Sequence, residues 1–269
     1  MKITVLGTGN GTVVNCYNTC FALDDGSNEY FLVDAGGGNG IIKQLKDSNI
    51  SPLQIKNMFI SHTHTDHIMG AVWMIRMVAR EYVKDDGNAV FNIYGNNEVI
   101  NALRVMGNVV LPKRFTDLFD TRIKFIEVDT GSEATILNKK IDFFDANANK
   151  VKITGFVMWL NEKDKFTFIG DEYCKPETEK YVEKSKWLFA DTFMAGEEAE
   201  EYNPIKRHSH STVKFVAELC ERLNVENVIF SHSVDTDLPN RKRIFTEDAK
   251  KYYHGNVYVP DDLEQIEIK

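Results

Sequence analysis

No CxxC pair occurs among the four cysteines (Cys16, Cys20, Cys174, Cys220), and their scatter argues for reduced thiols in a cytoplasmic protein rather than a disulfide framework. Cys16 and Cys20 read as strand-packing residues. Long apolar runs are missing as well. MKITVLGTGNG is interrupted by Gly7, Gly9 and Gly11 before a signal-peptide core of about seven apolar residues is complete. MGAVWMIRMVA is broken by Arg76 and falls short of the roughly 20 apolar residues of a spanning helix. Neither a signal peptide nor a membrane partner is expected. Positive charge is in deficit, 32 Lys and Arg against 40 Asp and Glu, so the net charge of -8 repels polyanions and excludes a general nucleic-acid coat. Low-complexity tracts, spaced repeats and separating linkers are absent too. With enough apolar residues, 43%, for a sizeable core, the chain reads as a single domain over residues 1–269.

What is present is a succession of short β-branched runs and amphipathic stretches. KITVL, TCFAL and YFLVDAG predict antiparallel strands separated by glycine-rich turns. GIIKQLKDSNI predicts a helix, NMFISH a buried strand, MGAVWMIRMVAREYV a largely apolar helix, and a polar helix begins near Asn96. LPKRFTDLFD reads as a hinge. RIKFIEV, ATIL, KKIDFFDA, KITGFVMWL and KFTFIGD predict five further strands. KPETEKYVEK then predicts a helix with proline near its start, WLFAD a strand, STVKFVAELCERLN a helix, and VIFSH a strand. Strands with helices outside them, occurring twice, predict an α/β fold of the four-layer αββα sandwich type. GTGNG is not a dinucleotide fingerprint, because strand-like sequence and not a helix follows it. GEEAEEY and NRKRIF read as solvated charge, and His208 and His254 as surface residues.

Histidine is scarce, seven in the chain, yet SHTHTDH gathers His62, His64 and His67 around Asp66. In an extended segment alternate residues share a face, so His62 and His64 reach one point while the turn into the helix redirects Asp66 and His67 to a second. That spacing suits two neighbouring metal ions, which lie about 3.5–4 Å apart in dinuclear catalytic sites. Asp34 in FLVDAGG, Asp171 in FTFIGDE and His232 in VIFSHS each follow an apolar strand, so ligands from several strand ends can converge. Alone, each has an ordinary explanation as a turn residue, a helix cap or a core histidine.

The set VDAGG, SHTHTDH, FIGDE and IFSHS, with HSHST before the last, resembles the metallo-β-lactamase fold and within it the ribonuclease Z-like branch, over nearly the whole chain. The resemblance implies that His62 and His64 hold one Zn²⁺, Asp66 and His67 the other, that Asp171 bridges them, and that His232 completes the second site. Asp34 would orient a ligand histidine. One position departs from the pattern. Where the branch has a histidine before the GF of the next strand, DANANKVKITGF has Asn149, and Asp145, Asn147 and Asn149 share a face if the segment is extended. Asparagine is a weaker zinc ligand than imidazole, so the first metal is labile, is Mn²⁺ or another metal, or is completed by water or another side chain.

His210 in KRHSHST resembles the histidine that phosphodiesterases of the branch place beside the scissile phosphate, with Lys206 and Arg207 as local positive charge for substrate binding. Asp66 and His210 are the candidate catalytic residues. The resemblance also implies a homodimer. A protruding tRNA-gripping arm, common in the branch's ribonucleases, has no room between Asn149 and Asp171, so a cyclic mononucleotide suits better than pre-tRNA. Arm-less members that destroy cyclic nucleotides look similar. The alternatives are pre-tRNA 3′ processing and a non-catalytic binding protein of the same fold.

Overall fold

The computed structural model describes residues 1–85, 87–196, 199, 202–207 and 210–269, with the backbone alone at 206 and 207. The chain forms two compact units, Met1–Gly7 with Tyr17–Asp129 and Asp262–Lys269, and Thr8–Cys16 with Thr130–Asp261.

The first unit is built on a seven-stranded sheet ordered β14-β1-β2-β3-β4-β5-β6. Its strands are β1 (Lys2–Gly7), β2 (Cys20–Asp24), β3 (Tyr30–Val33), β4 (Ile55–Phe59), β5 (Phe91–Gly95), β6 (Ile123–Glu127) and β14 (Gln265–Glu267). From β14 to β3 neighbours run antiparallel, and from β3 to β6 parallel. A parallel step needs a crossover. Helix α1 (Gly40–Asp47) makes the first, α2 (Thr65–Tyr82) the second, and α3 (Asn97–Val110) with the one-turn α4 (Lys113–Thr116) the third. Thus LPKRFTDLFD, read as a hinge, contains a helical turn that packs Phe115 into the core.

Local chemistry starts these helices where they start. Asn96 caps α3 by accepting hydrogen bonds from the Glu98 and Val99 amides at 3.0 and 3.1 Å. Residue 64, at the cap of α2, makes no side-chain cap because its imidazole is engaged elsewhere. Helix α2 buries Ile68, Ala71, Met74, Ile75, Val78 and Tyr82, the 3.6-residue periodicity of an amphipathic helix.

The second unit carries the order β13-β12-β11-β10-β9-β8-β7. These are β7 (Glu133–Ile136), β8 (Lys139–Asp145), β9 (Thr154–Trp159), β10 (Lys165–Phe168), β11 (Trp187–Asp191), β12 (Asn227–Ser231) and β13 (Asn256–Tyr258). Here β7 to β10 are antiparallel and β10 to β13 parallel. The described crossover helices are α5 (Glu179–Val182), α6 (Pro204–Arg207), α7 (Val213–Arg222) and α8 (Leu238–Ala249). KPETEKYVEK forms one helical turn and not a full helix. Thr178 ties its hydroxyl to both the amide and the carbonyl of Lys175, and Lys184 takes a left-handed φ of 55°, so the helix is closed at both ends. Cys20 lies buried in β2, whereas Cys16 stands in the half-buried loop before it and packs in no strand.

Each sheet is mixed and flanked by helices, as the α/β reading requires. None of the described helices is long and apolar enough to cross a membrane.

Candidate active site

In the first unit the chemistry collects where β3 and β4 end and α2 begins. His62 and His64 meet, Nε2 to Nδ1, at 2.9 Å, and the His62 and His67 rings stand 4.3 Å apart. His67 Nε2 lies 3.3 Å from Asp66 Oδ2. Two ligands about 2.0–2.1 Å from a tetrahedral ion are roughly 3.3 Å apart, so both pairs are spaced like neighbours around a metal. Imidazole and carboxylate are also the donor types that Zn²⁺ takes.

Beneath these groups Asp34, buried and at a left-handed φ of 54°, accepts from the Ser61 amide at 2.8 Å and from the Ser61 hydroxyl, and its Oδ2 pairs with His67 Nδ1 at 2.8 Å. Engaging Nδ1 fixes the ring and leaves Nε2, on the Asp66 side, as the nitrogen that could take a metal. Helix α2 approaches this turn closely enough for the Gly70 amide to donate to Gly36 O at 2.8 Å and the Ala35 amide to His67 O at 3.1 Å.

The second unit assembles its set at the ends of three adjacent strands, β10, β11 and β12. Asp171 Oδ2 sits 2.8 Å from His232 Nε2, another ligand-like spacing, and both residues are buried. Asp191, the last residue of β11, faces two histidines: Oδ1 is 3.4 Å from His232 Nδ1 and Oδ2 is 3.1 Å from His210 Nδ1. Asp191 Oδ2 also accepts from the Ser211 amide at 3.0 Å. Asp191, His210 and His232 together form a donor cluster able to hold a cation. Sequence reasoning passed over Asp191. Its signal was an aspartate closing an apolar strand in WLFAD, the context that marked Asp34 and Asp171.

His210 is partly exposed, stacks on Phe193 at 5.1 Å, and lies 4.8 Å from the His232 ring. Burial works against its protonation. The Asp191 charge and hydrogen bond outweigh that and hold the imidazole above its usual range.

Asn149 is exposed in a bend, and Asn147 has a left-handed φ of 55°, so the segment is not extended and the face shared by Asp145, Asn147 and Asn149 does not form. The loop is fastened from below by two buried charged residues that follow Asp171. Lys175 Nζ donates to Asn147 O, and the Glu172 carboxylate accepts from the Asn149 amide. Burial raises the Glu172 carboxyl above its usual range, against the pull of Lys175 and that amide. The side chains of Lys206 and Arg207, and all of His208, lie outside the described residues. His254 is exposed beside Glu221.

The family model described as "Anti-Pycsar protein Apyc1" matches residues 1–243. The chain belongs to that family. Among curated relatives, the ribonuclease Z of Streptococcus gordonii is 24% identical over 329 aligned positions that cover all of both chains. An alignment longer than this chain's 269 residues means that the relative carries segments absent here. Among solved structures, the metallo-β-lactamase fold protein YhfI from Bacillus subtilis superposes with a TM-score of 0.76 at 15% identity, covering 98% of each chain. The short form of human tRNase Z superposes with a TM-score of 0.74 at 17% identity, covering all of both. The fold is therefore the metallo-β-lactamase fold, and this member of the Apyc1 family is a ribonuclease Z-like, metal-dependent hydrolase.

Proposed function

We propose that the chain is a dinuclear phosphodiesterase acting on a small phosphodiester, with a 3′,5′-cyclic mononucleotide as the substrate that suits it best. His62 and His64 would hold one metal, Asp66 and His67 the other, with Asp171 bridging and His232 completing the second site. Zn²⁺ matches the imidazole-rich donor set, and Mn²⁺ is the natural alternative at a first site that has Asn149 where its third histidine would be. A metal pair bound there supplies an acidified water and polarises the phosphoryl group.

The observation that carries the reading is the His210–Asp191–His232 arrangement. With Nδ1 held by Asp191, His210 keeps Nε2 for substrate, and the aspartate favours the protonated ring. Such an imidazolium can donate a hydrogen bond to a phosphoryl oxygen and then a proton to the departing alkoxide. A strained ring phosphate needs one proton at one leaving oxygen, which one histidine supplies. Arg207, three positions before His210 in the sequence, would supply positive charge for the phosphate.

Size argues against a large substrate. Strands β9 and β10 are joined by a tight turn in which the Leu160 amide donates to Asp164 O at 2.9 Å, and no arm is inserted between Asn149 and Asp171. The net charge of -8 provides no footprint for an RNA backbone. Pre-tRNA 3′ processing is the second reading, favoured by the ribonuclease Z relatives. A cytoplasmic homodimer accompanies either reading.

Purified protein loaded with Zn²⁺ or Mn²⁺ should hydrolyse 3′,5′-cyclic nucleotides and leave a pre-tRNA with a 3′ trailer intact. Trailer cleavage without cyclic nucleotide turnover would reverse the order of the two readings. A protein that binds no divalent metal would remove both.

A further inference from the structure

The NRKRIF stretch, which sequence alone reads as solvated charge, forms part of α8, and its three basic residues behave differently. Lys242 and Arg243 are exposed, whereas Arg241 is only 4% exposed. A buried guanidinium is costly unless its donors are matched. Here Nη1 donates to the Thr8 and Ser233 hydroxyls at 2.9 and 3.0 Å, and Nη2 donates to Pro260 O at 2.7 Å and to Asp261 Oδ1 at 3.2 Å.

Both hydroxyls belong to segments that frame His232. That residue adopts φ 60°, a left-handed conformation which a non-glycine residue keeps only where its surroundings over-determine it. On one side, Ser231 O accepts from the Thr192 amide at 2.8 Å and from its hydroxyl at 3.1 Å. On the other, the Ser233 amide donates to Thr8 O and Ser233 O accepts from the Asn10 amide, each at 3.0 Å, while the Val234 amide donates to Phe193 O at 3.0 Å. The backbone around His232 is thus clamped from both directions, and Arg241 locks the Ser233 and Thr8 side chains to one another.

We infer that Arg241 is a positioning residue for His232: by holding Ser233 against Thr8 it maintains the left-handed turn that aims the imidazole at its metal. The inference rests on the dinuclear reading above. Lysine is no substitute, because a single ammonium lacks the planar fork that spans two hydroxyls on one side and a carbonyl and a carboxylate on the other.

The test uses the full chain. Zn²⁺ stoichiometry and affinity are measured by chelator competition for wild type, Arg241→Lys and Ser233→Ala, and for Asp261→Asn, which removes the charge of the exposed carboxylate that pairs with the same guanidinium and with Lys242. The melting temperature of each metal-free protein is recorded alongside. Arg241→Lys and Ser233→Ala should each weaken one of the two sites about 10-fold or more, the scale on which partners of ligand residues act. Asp261→Asn should stay within about twofold of wild type, since it leaves Ser233 and Thr8 untouched. If Arg241→Lys fails to fold, Ser233→Ala carries the test alone. Unchanged affinity at both sites in the variants, with wild type fully loaded, overturns this inference alone. A wild type that binds no metal overturns the dinuclear reading and this inference with it.

Discussion

Asp34 and Asp191 play the same part in different units. Each is a buried carboxylate at a strand end that holds the Nδ1 of a histidine, Asp34 that of His67 and Asp191 that of His210. Replacing Asp34 by Asn keeps the volume and tolerates the left-handed backbone, but it removes the charge-assisted contact with His67. Metal affinity should fall by about 10- to 100-fold in a chelator competition, with the far-ultraviolet circular dichroism unchanged. His210→Ala should separate binding from chemistry. Metal content should stay at the wild-type level while kcat falls about 10²-fold or more, as loss of an acid catalyst requires, and a kcat within threefold of wild type would remove His210 from the mechanism. The cluster at residues 62–67 was legible because four ligand-type residues crowd six positions. Asp191 was not, since one aspartate at a strand end gains meaning only when folding sets it beside His210 and His232. The register at Asn149 was also hidden, because its loop shape depends on Glu172 and Lys175, which approach from another part of the chain.

At the scale of elements, α2 is placed by an absence. A Cβ at Gly70 would lie 1.8 Å from Ala35 O, so only glycine lets the helix press against the turn that holds Asp34. Gly70→Ala should push α2 outward, cost about 1–3 kcal/mol or more by overpacking, and draw Asp66 and His67 away from Asp34. A lowered melting temperature together with weaker metal binding is the expected pair of readings, and lowered stability with intact metal binding would show that the contact is only a packing contact. Most strands and the long helices were readable from apolar periodicity. The short elements were not. KPETEKYVEK has helical composition along its length, but the Thr178 turn and the stacking of Tyr181 on Phe144 at 4.0 Å leave room for one turn. The turn inside LPKRFTDLFD depends on burial of Phe115, a tertiary contact that no local pattern announces.

For the whole molecule, charge makes a prediction that separates the two substrate readings. A protein of net charge -8 repels an anionic substrate at long range. Raising ionic strength from about 0.01 to 0.15 M shortens the screening length from about 30 to 8 Å, so kcat/KM for a cyclic nucleotide should rise. An enzyme that gripped RNA through its phosphates would show the opposite slope. A fall in cyclic nucleotide kcat/KM over that range would point to a local basic surface strong enough to dominate the approach.

The pairing of β14 with β1 gives the first unit a timing problem during synthesis. Lys2 to Thr4 emerge early, but their partners Gln265 to Glu267 follow almost the whole chain later, and the Met1 carbonyl waits equally long for the Ile268 amide. Until then β1 has one bare flank, open to pairing with a neighbouring nascent chain. Contacts so distant in sequence close slowly and leave intermediates prone to aggregate. Yield on a polysome should therefore depend on how quickly β14 is delivered. A chain stopped at Asp261 should accumulate in the insoluble fraction, and supplying the missing segment as a separate peptide during refolding should return part of it to solution.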